Sequence, residues 1–331
     1  MTVLITGGAG YIGSHMALSL IDAGEDVVIL DNLSTGVRSQ VPHGAHFVAG
    51  DVGDKDLVRG LLREHDVDAV LHFAASTVVP ESVADPLSYY ANNTVASRVL
   101  IEACVDTGIE NFIFSSTAAV YGATSEAMVS ETAATHPESP YGRSKLMTEW
   151  MLEDASRASR LRHVSLRYFN VAGADPAGRT GQSTPNATHL IKRACQAAIG
   201  VVPHLAIFGA DYPTPDGTGV RDYIHVTDLV SAHAVALQYL RAGGAPDTFN
   251  CGYGRGFSVR EVARAVEQVV GAPLPVVEMP RRPGDCPAVV ADNTKIRTRL
   301  GWTPEHDDLE MIVRTALDWE RRLAQQETSA A

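Results

Sequence analysis

The chain has 331 residues, 45% of them apolar and 20% charged, a make-up that suits a globular protein with room for two domains and a substantial core. A formal net charge of -12 opposes nucleic-acid phosphates and anionic membrane surfaces, so any anionic ligand must be held by local donors. Without a basic leader, a bilayer-length apolar run, a C-x-x-C pair or a metal-spaced His/Cys cluster, the expected setting is the reducing cytoplasm, with Cys104, Cys195, Cys251 and Cys286 free.

The first predicted strand is Thr2–Thr6 and the first predicted helix Ile12–Ala23. Between them, Gly7-Gly8-Ala9-Gly10-Tyr11-Ile12-Gly13 satisfies both Gly-x-Gly-x-x-Gly and Gly-x-x-Gly-x-x-Gly. Glycine there serves a tight turn, close backbone approach to a pyrophosphate, and tight packing of helix on strand. The helix N-terminus adds free amides and the positive end of its dipole. The second strand, Asp26–Leu30, leads to Asp31, a carboxylate placed for adenosine ribose hydroxyls and against a 2′-phosphate. Asn32 follows instead of Arg, which favours NAD over NADP; Arg38 is the nearby cation that argues the other way. The third strand, His46–Ala49, leads to Asp51-Val52, where an adenine amino group would lie. Asp51 serves equally well as the N-cap of the next predicted helix, Leu57–His65.

Strands Ala69–Phe73, Asn111–Ser115 and His163–Arg167, with helices Thr94–Thr107 and Tyr141–Arg157, continue the rhythm. Continuous apolar strands alternating with helices predict a doubly wound parallel α/β sheet, with ligands beyond the strands' C-terminal ends. Within this half, Ser115-Ser116-Thr117 precedes Tyr141-x-x-x-Lys145. One helical turn places the phenol and the ammonium on one face. A fixed cation brings a phenol from its pKa of about 10 towards neutrality; three units require about 4 kcal/mol.

At Gly173 the composition shifts towards Gly, Pro, Ser and Thr through Pro185, and the domain boundary is placed there. Residues 1–172 form a dinucleotide-binding unit and 173–331 a second one, with 224–252 (Ile224–Leu240 and the Phe249-Asn250 strand) returning to the first. A helix is predicted at Thr188–Ile199, a long loop at Gly209–Gly219 and a frayed tail at Gln325–Ala331.

Further marks stand in order: Phe73-Ala74-Ala75, Ser115-Ser116-Thr117-Ala118-Ala119-Val120-Tyr121-Gly122, Pro140-Tyr141-Gly142-x-Ser144-Lys145 and Arg167-Tyr168-Phe169-Asn170-Val171-Ala172-Gly173. Gly219-Val220-Arg221-Asp222-Tyr223-Ile224-His225-Val226 and Arg281-Arg282-Pro283-Gly284-Asp285 complete the set. Together with the Gly-rich turn they resemble the extended short-chain dehydrogenases/reductases, and within them the branch that epimerises UDP-hexoses at C4. The resemblance runs from the turn to about Trp302. It implies a Rossmann-type sheet, a smaller C-terminal α/β domain for a UDP-sugar, bound NAD, and a homodimer meeting through the helix at Thr94–Thr107 or at Leu146–Ser156. The implied reaction interconverts UDP-glucose and UDP-galactose: C4 is oxidised, the 4-keto sugar turns over, and C4 is reduced again.

By the same resemblance, Thr117 hydrogen-bonds O4, Tyr141 is the general base, and Lys145 holds the nicotinamide ribose. The implied NAD contacts are Gly7, Gly10, Tyr11, Ile12, Gly13, Asp31, Asn32, Asp51, Val52, Phe73, Ala74, Ala75, Asn92 and Phe169, besides Tyr141 and Lys145. Asn92 has a helix cap as its alternative. Arg221 and Arg282 would take the phosphates with Asn170, Leu190 and Phe208 the uracil, and Asp285 the uridine ribose. His189 stands where some relatives carry Asn, and Thr77 where some carry Lys. Val289 matches a position that gates the sugar's 2-substituent; its modest size implies weak or moderate epimerisation of UDP-N-acetylglucosamine. Dehydratase relatives place Asp-Glu where this chain has Ala118-Ala119, which leaves elimination without its acid and base. UDP-pentose epimerisation and a non-catalytic NAD-binding module are the alternatives.

Overall fold

The computed structural model describes every residue except Ser125, Ala127, Asn186, Pro283, Gly284 and Ala331, and the backbone alone at 327–330. The first half runs β1 (Thr2–Thr6), α1 (Tyr11–Asp22), β2 (Asp26–Asp31), β3 (His46–Ala49), α2 (Lys55–Glu64) and β4 (Val67–His72). The short helices α3 (Val79–Ala84) and α4 (Pro86–Tyr89) lead through a π-helical turn, Tyr90–Val95, into α5 (Ala96–Thr107) and β5 (Asn111–Ser115). Then come β6 (Met128–Val129), α6 (Pro140–Ala158), β7 (Arg162–Tyr168) and β8 (Asn170–Ala172). After the boundary loop lie α7 (Leu190–Ala198), β9 (Leu205–Phe208), β10 (Val220–His225), α8 (Val226–Arg241) and β11 (Asp247–Cys251). The chain ends with β12 (Gly256–Ser258), α9 (Val259–Val270), β13 (Val276–Met279), β14 (Ala288–Ala291), α10 (Thr294–Leu300) and α11 (Leu309–Ala330).

Seven strands pair in parallel in the order β11-β7-β5-β4-β1-β2-β3. Both faces are apolar, as alternation requires when helices cover each side. Val3, Ile5, Val27 and Ile29 join one core cluster with α1 and α8; Leu4, Val28 and Leu30 join the other with α2 and α5. The chain leaves β1 towards β2 and β3, then returns to β4 on the other side, so a crevice opens beyond the C-terminal ends of β1 and β4. A second sheet runs β12-β10-β14-β6, with β8 also on β10, and β9 pairs with β13.

Some expectations change. Asp51 does not cap α2: Asp54 does, accepting from Leu57 N at 3.1 Å, because it stands three residues ahead of that amide. Asn92 is no cap either, since it lies inside the π-helical turn. The tail, expected to be frayed from Gln325, stays helical to Ala330.

Asp228, 2% exposed on α8, fastens the start of the C-terminal arm. It accepts from Tyr253 Oη (2.6 Å), Glu305 N (3.0 Å), His306 N (2.8 Å) and His306 Nδ1 (2.9 Å). Burial opposes its charge, but these hydrogen bonds outweigh burial and hold the carboxyl below the usual aspartate range. A depressed carboxyl stabilises the fold above its unfolded pKa and loses that contribution as pH falls through the folded one. Asp228→Asn is therefore expected to cost about 2 kcal/mol or more at neutral pH, read as a lower melting temperature. The gap from wild type should close on acidification below the carboxylate range. An unchanged melting temperature at pH 7 would contradict this account.

Candidate active site

The Gly-rich turn crosses the end of β1 with no room for side chains. Gly7 has φ +73°, and a Cβ there would sit 2.6 Å from Ala74 N; one on Gly13 would sit 2.2 Å from Gly7 O. The first forces glycine where the turn passes the chain leaving β4, the second where α1 packs on the turn. Gly10 is the N-cap of α1 and offers no side-chain bond, so the first-turn amides of Tyr11, Ile12 and Gly13 stand at the crevice with the helix dipole behind them. Asp31 braces this arrangement: Oδ2 accepts from Ala9 N at 2.9 Å and Oδ1 from Leu33 N at 2.8 Å. Each oxygen keeps a lone pair for a further donor. Arg38 lies 4.0 Å over the Phe47 ring. Asn32 Nδ2 donates to Asp51 Oδ2 at 2.8 Å, and Asp51 Oδ1 accepts from Gly53 N at 2.7 Å. Val52 turns its side chain into the core.

On the other side of the crevice, Phe73 N donates to Thr6 O at 3.0 Å, which draws Phe73-Ala74-Ala75 alongside the Gly-rich turn. Asn92 Nδ2 donates to Ser76 Oγ at 3.0 Å, just beyond them. A turn that only glycine fits, free helix amides, and a carboxylate at the end of β2 match a dinucleotide's diphosphate and ribose.

The reactive trio stands at the next strand end. Ser139 caps α6 by accepting from Gly142 N at 3.1 Å, with Pro140 in the first turn, so the helix begins in time to align Tyr141 and Lys145. Tyr141 is 7% and Lys145 3% exposed. Lys145 Nζ donates to Ser115 O at 3.0 Å and lies 4.9 Å from the centroid of the Phe114 ring. Thr117 follows β5 in extended backbone; its Oγ1 accepts from Ala119 N at 3.1 Å, which leaves its proton free to donate. Ala118 and Ala119 form the 3₁₀ turn directly after it.

The electrostatics depart from the expectation. Burial pushes the Lys145 ammonium down to about 7, with the Glu149 carboxylate holding it up. Burial pushes the Tyr141 phenol up, and the hydrogen bond with Thr117 pulls it part of the way back. Desolvation thus dominates both groups, and the Thr117 hydrogen bond does not bring the phenol below its usual value.

The third set lies on the second sheet. Arg221 on β10 donates from Nη1 to Val220 O at 2.9 Å, and its Nη2 is 3.7 Å from Asp285 Oδ1. Val289 on β14 pairs in register with Arg221 and packs against the Val120, Tyr121 and Leu146 cluster with Ala118. That contact joins the second sheet to the residues around Thr117. Arg282 holds its guanidinium 3.7 Å over the Phe208 ring, the ring expected to meet uracil, so the two expected contacts share one place. Pro283 and Gly284, within the same motif, lie outside the described residues. Leu190 packs against the main core, whereas His189 is exposed before α7, its ring 6.5 Å from that of Tyr11. Although part of the residue is exposed, desolvation of the ring and then the Lys192 cation lower the His189 pKa. Phe169 bridges β7 and β8, and Asn170 opens β8 beside Tyr223.

Sequence reasoning missed Glu149, Arg167, Tyr121 and Ser116 as site residues; they form a buried polar cluster beneath the trio. The one local signal was Glu149, a helical turn beyond Lys145.

Known proteins share both the sequence and this geometry. The family model described as the NAD dependent epimerase/dehydratase family matches residues 3–252. The chain is 59% identical, over 98% of its length and 93% of the relative's, to a UDP-glucose 4-epimerase of Azospirillum brasilense. A Stenotrophomonas maltophila UDP-glucose-4-epimerase, solved with bound NAD and formylated UDP-arabinopyranose, superposes with TM-score 0.95 at 41% identity, over 98% of this chain and 99% of that one. A UDP-Glc/GlcNAc 4-epimerase from Campylobacter jejuni gives 0.85 at 47%, over 97% and 99%. The chain therefore belongs to the NAD-dependent epimerase/dehydratase family.

Proposed function

We infer that the protein is an NAD-dependent UDP-glucose 4-epimerase, an isomerase that interconverts UDP-glucose and UDP-galactose. The observation that carries this reading is the trio of Thr117, Tyr141 and Lys145 at the end of β5, followed by two alanines where elimination would need an acid and a base. NAD, when bound, would supply the acceptor and donor of the C4 hydride and a positive ring that favours phenolate. The residues do the rest. The Thr117 hydroxyl orients O4 and Tyr141 Oη takes its proton and gives it back; Lys145 Nζ holds ribose hydroxyls next to the phenol. The first-turn amides of α1 and Asp31 hold the diphosphate and adenosine ribose.

Inversion requires the 4-keto ring to turn while the nucleotide stays put. The UDP group is the handle: Arg221 and Arg282 take the phosphates, with Asn170 and His189 beside them, and Asp285 takes the uridine ribose. Phe208 and Leu190 border the base, so Arg282 must slide off the Phe208 ring as uracil arrives. We place the unit boundary at Gly173, with 224–252 in the dinucleotide unit, a reading supported by the pairing of β11 with β7.

The homodimer belongs to this proposal. Val83, Leu87, Val95 and Trp150 are large apolar side chains left exposed along α3 to α6, the face a second copy would cover. Among the described residues no helix is long and apolar enough to cross a membrane. Cys104, Cys195, Cys251 and Cys286 are free thiols, which favours a cytoplasmic location.

A second activity follows from Val289. It is half-buried against the cluster of Val120, Tyr121, Val129 and Leu146, and its modest size leaves more room for a 2-acetamido group than a large aromatic would. The resemblance to an enzyme named for both UDP-Glc and GlcNAc supports it. UDP-N-acetylglucosamine should turn over at a weak to moderate rate beside UDP-glucose; no activity on the N-acetyl sugar would refute this. For the main reaction, purified protein should convert UDP-galactose to UDP-glucose without added reductant. Tyr141→Phe should keep its cofactor but lose about a hundredfold or more of turnover. A rate near wild type would remove Tyr141 as the base.

A further inference from the structure

The stripe of α6 that carries Tyr141 and Lys145 continues to Glu149, 6% exposed. Its Oε2 accepts from Arg167 Nη2 at 2.6 Å and its Oε1 from Arg167 Nε at 3.0 Å, a two-point pairing with a buried guanidinium. Oε1 also accepts from Ser116 Oγ. Arg167 Nη1 then donates to Tyr121 Oη at 3.1 Å, and that hydroxyl donates to Asn250 Oδ1 at 2.6 Å.

Three consecutive residues at the end of β5 are thereby assigned different tasks. Ser115 holds Lys145 through its carbonyl, Ser116 is held by Glu149 through its hydroxyl, and Thr117 turns its hydroxyl towards the Tyr141 phenol. Apolar residues of similar volume in place of a buried ion pair are often neutral or stabilising, so stability alone does not explain this pair. Its position does, since α6 and β5 supply the reacting groups and Glu149 ties one to the other.

We propose that Glu149, braced by Arg167, is a positioning residue of the reaction: it pins Ser116 so that Thr117 meets O4, and it sets a negative charge one turn from the Lys145 ammonium. The proposal rests on the epimerase reading above. The titratable and charged groups around the Lys145–Tyr141 pair are His72 on β4, Arg167 and Tyr168 on β7, and Tyr89 with Glu81 from α4 and α3. Glu149 lies on their own helix and favours the charged lysine. Removing a negative charge makes proton loss easier at Lys145 and Tyr141 alike, so both limbs of the rate profile should move to lower pH.

The test is Glu149→Gln, assayed on UDP-galactose across the pH range of activity, with bound NAD measured on denaturation. The expected result is full NAD content, KM within about twofold, kcat lower by about tenfold or more, and a profile shifted down by about half a unit or more. A folded Glu149→Gln with wild-type kcat and an unmoved profile overturns the proposal, as does a loss confined to KM. Gln leaves Arg167 buried without its counter-charge, so Glu149→Gln/Arg167→Met is the second variant. It should regain melting temperature yet keep the lowered kcat, with the profile drawn back towards wild type as the Arg167 cation is lost; a wild-type kcat in it overturns the proposal. Tyr141→Phe, run alongside, separates the two readings. A wild-type enzyme that converts no UDP-galactose fails the epimerase reading and a Tyr141→Phe that stays active fails only the base assignment, whereas loss in Tyr141→Phe beside an unmoved Glu149→Gln removes only the positioning role.

Discussion

A lysine ammonium buried at the end of a strand is the constraint around which this structure is arranged. Taking such a charge out of water costs several kcal/mol unless acceptors replace the lost solvent. Lys145 meets the Ser115 carbonyl at 3.0 Å, the face of Phe114 at 4.9 Å, and the Glu149 carboxylate one turn along. Even so, burial brings it down to about 7, close to the point where it would give up its proton. Such a poise suits the chemistry proposed for it, in which a proton and a hydride leave the same carbinol. A fully solvated lysine would hold its charge and do little to the phenol; a buried one without acceptors would be neutral.

The sheet decides who can reach that ammonium. Because the chain reverses between β1 and β4, the Gly-rich turn, Asp31 and Phe73-Ala74-Ala75 converge from one side, while β5 brings Ser115, Ser116 and Thr117 from the other. The second sheet is attached where it can close the site. Val289 packs on the Ala118 cluster, Tyr11 Oη donates to Gly173 O at 2.6 Å, and Asp228 fastens the C-terminal arm to α8. The residues proposed to hold the nucleotide lie on and beside the second sheet and those proposed to meet the reacting carbon lie at the end of β5, so the two tasks of the proposed inversion would fall to different sheets.

What could be read from the sequence was whatever depends on spacing within one element. The Gly-rich turn, Asp31 at a strand end, and the i, i+4 pair on α6 are local patterns with one geometric outcome each. Asp54 rather than Asp51, three residues earlier, caps α2 because the helix starts at Lys55, and Asn92 sits in a π-helical turn that no apolar period announces. Strands β6, β12 and β14 have two, three and four residues, too few for alternation to register, and they are strands because β10 and its neighbours pair with them. The Glu149–Arg167 pair joins a helix to a strand, and the Arg282–Phe208 stack joins the end of β9 to the loop after β13. Such contacts are made by the fold and leave no period in the chain.

The central claim is that hydride leaves C4 and comes back to C4, with no proton removed from carbon. UDP-galactose labelled with deuterium at C4 and incubated with the enzyme in ordinary water tests it directly. The account predicts UDP-glucose with the deuterium still at C4 and ordinary hydrogen at C5. Loss of the label to solvent, or incorporation of solvent hydrogen at C4 or C5 in the reverse-labelled experiment, would contradict it.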